Sequence, residues 1–331
     1  MTDTPIKIVF HGENAGAFHP GFAALLKPGC NVEALPDKLD TDLQRDTYRA
    51  ADIVIATRFS ASLPKPDALR LFLVPGAGYD AVDFDALPPK AAVCNCFGHE
   101  DAIAEYVMAT ILHRAIPLAD ADRELRQGRW THWAGAADRA HGEISGRTIG
   151  LLGFGHIGQA VAKRAKAFGM RVHVANRSAV TNPTLVDQSF LLSERDAFWG
   201  SAEFIVVSLP LLDETRGIVN AAAFAAMRED AVLINVGRGG VVDETALFEA
   251  LSNKRIGGAV IDTWYNYPAP GSLEAAPASL PFHDLKNILM TPHMSGWTEG
   301  TIRRRQAVMA DNIARLRAGQ DLENVVRLAN L

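Results

Sequence analysis

Three short stretches of the chain carry residues whose types and spacing could do chemistry together. The first is Gly150-Leu151-Leu152-Gly153-Phe154-Gly155-His156-Ile157-Gly158, a strand-like apolar run that breaks into glycines. In that spacing the first glycine of the turn lets the chain bend sharply, the second lets backbone approach a pyrophosphate, and the third lets a helix pack on the strand. The helix N-terminus then faces the phosphate charge. The second stretch is Asn235-Val236-Gly237-Arg238-Gly239-Gly240, which sets a guanidinium just beyond an apolar run. A guanidinium so placed can clamp a carboxylate with two hydrogen bonds. The third is Thr291-Pro292-His293-Met294-Ser295-Gly296, which follows Ile288-Leu289-Met290 and presents one histidine in a stiff loop. Imidazole, with an ordinary pKa of about 6.5, suits proton transfer near neutrality. Taken singly, Arg238 also reads as a surface arginine and His293 as a structural histidine.

These residues need a scaffold, and the flanking pattern supplies one. Gln159 to Phe168 continues the glycine run as an amphipathic helix ended by Gly169, and a strand, Arg171 to Ala175, stops at Asn176-Arg177-Ser178. That strand-helix-strand order predicts dinucleotide binding. Further apolar runs at 204–207, 232–235 and 258–261 extend this into a doubly wound α/β domain of six or so strands. Runs at 6–10, 53–56, 71–74 and 91–94 alternate with helical or loop segments and predict a second parallel sheet before it. Asp101 to Ile116 reads as a helix kinked or stopped by Pro117, and Thr298 to Gly319 as one long helix with no later strand that the nucleotide sheet needs. The tail is therefore expected to return to the first domain. The cofactor domain, 101–296, would be inserted into a substrate-binding domain formed by 1–100 and 297–331, with a cleft between them. The stretch from Asn266 to Asp284, rich in Pro, Ala and Ser, is the least structured.

Composition narrows the function class. A chain of 331 residues with 48% hydrophobic and 21% charged residues has room for about two cored domains. A formal charge of −5 and a pI near 6.1 give no basic field, so no nucleic-acid partner is expected, and Arg303-Arg304-Arg305 reads as the solvated face of a helix. The N-terminus lacks a signal pattern and no apolar run approaches the ~18 residues that span a bilayer, so the expectation is a cytoplasmic protein without membrane contact. Three cysteines neither frame a fold nor bind a metal. Cys30 stands apart, and Cys94 and Cys96 are expected on opposite faces of one strand, all three reduced and semi-buried.

Between Val74 and Leu316 the joint order of motifs resembles the D-isomer-specific 2-hydroxyacid dehydrogenases, a family that includes glycerate, hydroxypyruvate and formate dehydrogenases. The matching pieces are PGAGYDAVD at 75–83, AEYV at 104–107, the glycine run, SLPLLDETRGIV at 208–219, NVGRGGVVDETAL at 235–247, GAVIDTW at 258–264 and TPHMSG at 291–296. The resemblance implies two Rossmann-like doubly wound parallel-sheet domains, the cofactor domain inserted into a flavodoxin-like substrate domain. It implies that Arg238 binds the carboxylate and carbonyl of a 2-oxo acid, that His293 delivers the proton, and that backbone amides around Ala77 and Gly78 hold the carboxylate. Asp262 would contact the nicotinamide amide, or serve only as a cap. The cofactor-binding positions so implied are Gly153, Gly155, His156, Ile157, Gly158, Asn176, Arg177, Ser178, Pro210, Thr215, Val236, Gly237, Asp262 and Gly296. Arg58 is a pocket residue or a surface one. Family members work as homodimers, and Trp130 and Trp133 belong either to that interface, to a neighbour's pocket or to core packing.

Three departures from the family shape the reading. The usual glutamate before the proline of the loop after Asp262 is here Tyr267, before Pro268. A phenol stabilises imidazolium less than a carboxylate does, so His293 is expected to lose its proton at lower pH, and reduction to fall off between about pH 6 and 7.5. Formate dehydrogenases carry glutamine there, and the loop with Pro268-Ala269-Pro270 looks like theirs. His99 stands where an asparagine is common, and is either a substrate contact or a helix-start residue. Asn176-Arg177-Ser178 replaces the acidic residue that holds the ribose hydroxyls of NAD, so NADP is favoured over NAD as cofactor. The reading is an NADPH-dependent reductase of a small 2-oxo acid such as glyoxylate or hydroxypyruvate. The alternatives are a dehydrogenase of a different substrate in the same fold, or a cofactor-sensing binding protein that has lost turnover.

Overall fold

The computed structural model describes residues 5–135, 137–269 and 271–329. The first four residues, part of the N-terminus read for a signal, and Pro270 of the Pro268-Ala269-Pro270 loop lie outside them. The chain divides into two compact units, 1–98 with 298–331, and 99–297, so the second is inserted into the first along the sequence. These limits differ by one or two residues from those expected.

In the first unit the strands are β1 (Ile6–His11), β2 (Cys30–Leu35), β3 (Ile53–Ala56), β4 (Leu71–Leu73), β5 (Ala92–Cys94) and β13 (Val325–Arg327). They form one sheet in the order β13-β5-β4-β3-β1-β2. Its first five strands are parallel in the flavodoxin-like order, and β13 adds an antiparallel edge that the apolar pattern did not announce. Strand β3 shows why the sheet has two cores: Ile53 and Ile55 face one apolar cluster, and Val54 and Ala56 the other. The helices are α1 (Glu13–Gly16), α2 (Asp42–Arg49) and, after the inserted unit, α9 (Glu299–Ala318). Helix α9 starts where the Thr298 hydroxyl caps the Thr301 amide and ends at Gly319 in a left-handed conformation, φ 66°. Its Met309, Ala310 and Ile313 pack on the sheet, and Gln306 donates to the carbonyls of Phe18 and Pro20.

Two expectations fail in this unit. Cys94 and Cys96 share one core cluster, because residues two apart on a strand face the same side, and burial pushes both thiols up to about 12. All three cysteines are free. Arg303 and Arg304 are exposed, but Arg305 is half-buried and its charge acts on the Cys96 thiol. Three consecutive helical residues span about 200° of the helix circumference, so one of them must turn inward.

The second unit carries a wholly parallel sheet of β6 (Thr148–Leu152), β7 (Arg171–Asn176), β8 (Gln188–Leu191), β9 (Phe204–Val207), β10 (Val232–Asn235), β11 (Gly258–Ile261) and β12 (Ile288–Met290). The order is β12-β11-β10-β9-β6-β7-β8, a Rossmann order with a seventh strand where six or so were expected. Helices α3 (Glu100–Ala115) and α5 (His156–Ala167) cover one face, against Phe204 and Val206 of β9. Helices α6 (Asp196–Trp199), α7 (Ala221–Ala226) and α8 (Glu244–Ser252) cover the other, against Ile205 and Val207. The exposed helix α4 (Leu118–Leu125) precedes the segment holding Trp130 and Trp133. Among the described residues no helix is long and apolar enough to cross a membrane.

The turn between β6 and α5 depends on missing side chains. Gly153 takes φ 102°, and a Cβ on Gly158 would be driven into the Gly153 carbonyl oxygen. The expected outcome for Gly158→Ala is a loss of about 1–3 kcal/mol of stability, measured by urea unfolding, since backbone must shift to admit the methyl group.

Candidate active site

Because every strand of the second sheet is parallel, every strand end that leads into a loop lies on one edge. Along that edge the strand order sets out β12 with His293 three residues beyond it, β11 with Asp262, β10 with Arg238, β9 with Pro210, β6 with Gly153, and β7 with Asn176. Crevices at this edge, where the order reverses between β9 and β6, are where such folds bind ligands.

The glycine turn fits a dinucleotide. A Cβ at Gly155, at the start of α5, would meet nothing within 4 Å, so the backbone there is open to a large anion. His156 is exposed in the first turn and Ile157 half-buried. Thr215 is buried, donates from its hydroxyl to the Pro210 carbonyl at 2.6 Å and accepts from the Leu212 amide at 2.8 Å, which closes the loop after β9. Past β7, Arg177 and Ser178 are exposed, and the Asn176 amide donates to the Ser178 carbonyl at 3.2 Å.

Arg238 is half-buried in a loop fixed by close backbone approach on both sides. A Cβ on Gly237 would lie 2.7 Å from the Leu209 carbonyl oxygen, and one on Gly239 would run into the Trp264 carbonyl. The Asn235 side chain spans the turn, accepting from the Gly237 amide at 3.1 Å and donating to the Arg238 carbonyl at 3.1 Å. Val236 is buried beneath it.

His293 takes φ 56°, the left-handed region that a non-glycine residue enters only when its surroundings hold it there. Asp262 is what holds it. Its carboxylate is fully buried and accepts from the Thr291 hydroxyl at 2.6 Å, the Met294 amide at 2.9 Å and the Ser295 amide at 3.0 Å. Three of the roughly four acceptor sites of the carboxylate are thereby used inside the protein. Asp262 thus caps the His293 turn, one of the two roles that its position allows.

Two further supports come from outside the motif. The Tyr106 phenol of α3 lies 2.7 Å from the Thr291 hydroxyl. Since that hydroxyl gives its hydrogen to the carboxylate, Tyr106 is the donor to it, and burial holds the Tyr106 pKa above its ordinary value. The Trp264 indole donates to the Thr291 carbonyl at 2.8 Å. Tyr267 is half-exposed, yet its hydroxyl accepts from the Trp264 amide at 3.1 Å and lies 3.0 Å from Nδ1 of His293. His99, at the start of α3, sits beside the same loop: a Cβ on Gly296 would be 3.4 Å from its Cβ, and its Nδ1 is 3.7 Å from a Glu100 carboxylate oxygen.

The first unit holds the remaining candidates. The Gly76 and Ala77 carbonyls are tied by the Cys96 amide at 3.0 Å and the Asn95 side chain at 2.8 Å, while the Ala77 and Gly78 amides donate to no acceptor among the described residues. Arg58 is exposed and paired with Asp37 at 3.0 Å. Sequence reasoning missed Arg305, whose Nη1 lies 4.0 Å from where a Gly76 Cβ would stand. It also missed Tyr106, although that residue sits inside the AEYV segment. Trp130 and Trp133 are 60% and 59% exposed and pack edge to face at 5.5 Å, so neither is a core residue of this chain.

Comparison with known proteins agrees with this architecture. Residues 108–295 match the model of the D-isomer specific 2-hydroxyacid dehydrogenase NAD binding domain. The chain is 32% identical over 281 residues to a D-3-phosphoglycerate dehydrogenase of Methanocaldococcus jannaschii, covering 81% of this chain and 49% of that one, so it spans about half the length of that relative. It is 32% identical over 272 residues to glyoxylate/hydroxypyruvate reductase B of Salmonella schwarzengrund, covering 80% of each. In fold it matches the NADPH-dependent glyoxylate/hydroxypyruvate reductase of Sinorhizobium meliloti, solved with NADP and sulfate, with a TM-score of 0.78, 24% identity and coverage of 97% and 98%. The chain belongs to the D-isomer specific 2-hydroxyacid dehydrogenase family.

Proposed function

We propose that the protein is a reductase that uses NADPH to convert a small 2-oxo acid, of the glyoxylate or hydroxypyruvate kind, to the 2-hydroxy acid. The observation that carries this reading is the His293 turn, held in a left-handed conformation by a buried Asp262 carboxylate with three donors, on the same sheet edge as Arg238 and the open glycine turn. A bound nicotinamide would supply the hydride. Arg238 would pair with the substrate carboxylate and polarise its carbonyl, His293 would give the carbonyl oxygen a proton, and the Ala77 and Gly78 amides would bind the carboxylate as well. Gly155 and the first turn of α5 would take the pyrophosphate, with Gly153, Ile157, Pro210, Thr215 and Gly237 shaping the walls. The preference for NADP over NAD rests on Arg177 and Ser178, exposed just past β7 where no carboxylate repels a 2′-phosphate.

A second reading keeps the fold and the hydride chemistry but changes the substrate. It rests on His99, which brings an imidazole and the neighbouring Glu100 beside the Gly296 loop. As a working form we assign a cytoplasmic homodimer, with the exposed Trp130 and Trp133 pair on the subunit interface; the three free thiols fit a reducing compartment.

Steady-state oxidation of NADPH with a panel of 2-oxo acids tests the reaction directly. Turnover with glyoxylate or hydroxypyruvate is expected, and tight NADPH binding without turnover on any acid would mark a cofactor sensor instead. Arg177→Ala should weaken NADPH about tenfold or more, a loss of about 1.4 kcal/mol, and leave NADH almost unchanged; equal losses would remove the argument for NADP. Asp262→Asn replaces one acceptor oxygen by a donor facing an amide, so it should cost about 1–3 kcal/mol in urea unfolding. It should also lower kcat more than it raises KM, because the proton donor rather than the carboxylate clamp is displaced.

A further inference from the structure

We infer that Tyr267 and His293 form a proton relay, in which the phenol gives its hydrogen to Nδ1 as Nε2 gives one to the substrate oxygen. This rests on the reductase reading above. The Tyr267 hydroxyl lies 3.1 Å from the Trp264 amide nitrogen and 3.0 Å from His293 Nδ1. An amide N–H can only donate, so the phenol oxygen is its acceptor, and the relay assigns the phenol hydrogen to Nδ1. A ring that accepts at Nδ1 is neutral and keeps its proton on Nε2. A carboxylate in the same place would act in the opposite sense: it only accepts, so it draws a proton onto Nδ1 and stabilises imidazolium.

The step balances without a charged histidine. With hydride supplied by a bound nicotinamide, the new C–H bond would form and the carbonyl π pair would move to oxygen. That oxygen takes the hydrogen of Nε2, and Nδ1 takes the hydrogen of the phenol. The imidazole ends neutral as its other tautomer, and Tyr267 ends as a phenolate facing the Trp264 N–H. The transfer runs downhill, since the alkoxide formed by hydride addition is a stronger base than a phenolate, whose ordinary conjugate acid has a pKa of about 10. Tyr267 is 50% exposed, so solvent can reset the pair: Nε2 gains a proton from water and Nδ1 returns its own to the phenolate.

Several titratable groups of this unit stand near the pair. Asp262 lies beneath the turn with three donors on its carboxylate. Tyr106 approaches from α3, and His99 and Glu100 stand at the start of that helix beside Gly296. Arg238 adjoins Gly239, which abuts the Trp264 carbonyl.

Tyr267→Phe keeps the ring and removes only the hydroxyl, and two measurements on the full-length protein read its effect. In an NMR titration of the His293 ring, the wild type should lose its proton at a pH at least about half a unit below that of Y267F, because the phenol favours the neutral ring. Equal values, or a higher value in the wild type, overturn the relay, and this readout needs no turnover. In kcat/KM against pH with NADPH and a 2-oxo acid, the relay keeps the wild type level past pH 8, in place of the decline between about pH 6 and 7.5 expected from the sequence. Y267F should fall between about pH 6 and 7.5, the decline expected of a histidine acid working alone, and at pH 8.5 lie about tenfold or more below the wild type while approaching it at pH 6. Profiles of one shape that differ by a constant factor would make Tyr267 a structural residue and overturn the relay alone. Absence of turnover with every 2-oxo acid would overturn the reductase reading and the relay with it.

Discussion

The buried carboxylate of Asp262 is the constraint on which the rest of the site depends. An acidic group with no surface exposure costs several kcal/mol of desolvation unless donors surround it. Three donors can reach it only if the chain beyond β12 folds back over the end of β11, which the parallel register pairing Ile261 with Met290 allows. The turn that results forces His293 into left-handed backbone, a conformation that costs on the order of 1–3 kcal/mol by itself. The hydrogen bonds to Asp262 offset that strain, and they fix where the imidazole stands. Folding energetics and the placement of the His293 imidazole are thus one arrangement.

A different device places the guanidinium. The loop carrying Arg238 is held by two glycines whose missing side chains let backbone touch backbone, Gly237 against Leu209 and Gly239 against Trp264. Asn235 then closes the turn from beneath. Trp264 joins the two systems: its carbonyl meets the Arg238 loop, its indole holds Thr291, and its amide anchors Tyr267. A change at Trp264 would therefore reach both the Arg238 loop and the His293 turn.

How much of this could be read from the sequence depended on burial. Central parallel strands such as β9 and β10 are apolar on both faces and read as unbroken runs. The sheet-edge strands β2 and β8, with sequences CNVEAL and QSFL, carry polar residues and partial exposure, and β13 is three residues long, so their pattern did not stand out. The motif residues His293, Arg238 and Asp262 were legible because their types and order are specific. Their supports were not: Tyr106 comes from a helix 185 residues before Thr291 along the chain, and no local pattern encodes that approach. Tyr267 was legible as a departure, whereas its double hydrogen bond became visible only once the loop after β11 had closed on the His293 turn.

That closure also bears on why a phenol can stand where a carboxylate is usual. In the proposed reaction the substrate is an anion drawn in by Arg238, and a second carboxylate several ångströms away would repel it by on the order of 1 kcal/mol in a partly screened site. Tyr267 removes the repulsion, since it approaches His293 as a neutral group. It also removes the charge that would hold imidazolium, so the proton must come from somewhere else. The Trp264 amide meets that need in part, because it donates to the phenol oxygen and then faces the phenolate that the relay leaves. The loop after β11 therefore exchanges a stored charge for a transferable hydrogen, with the same backbone geometry serving both ends of the exchange.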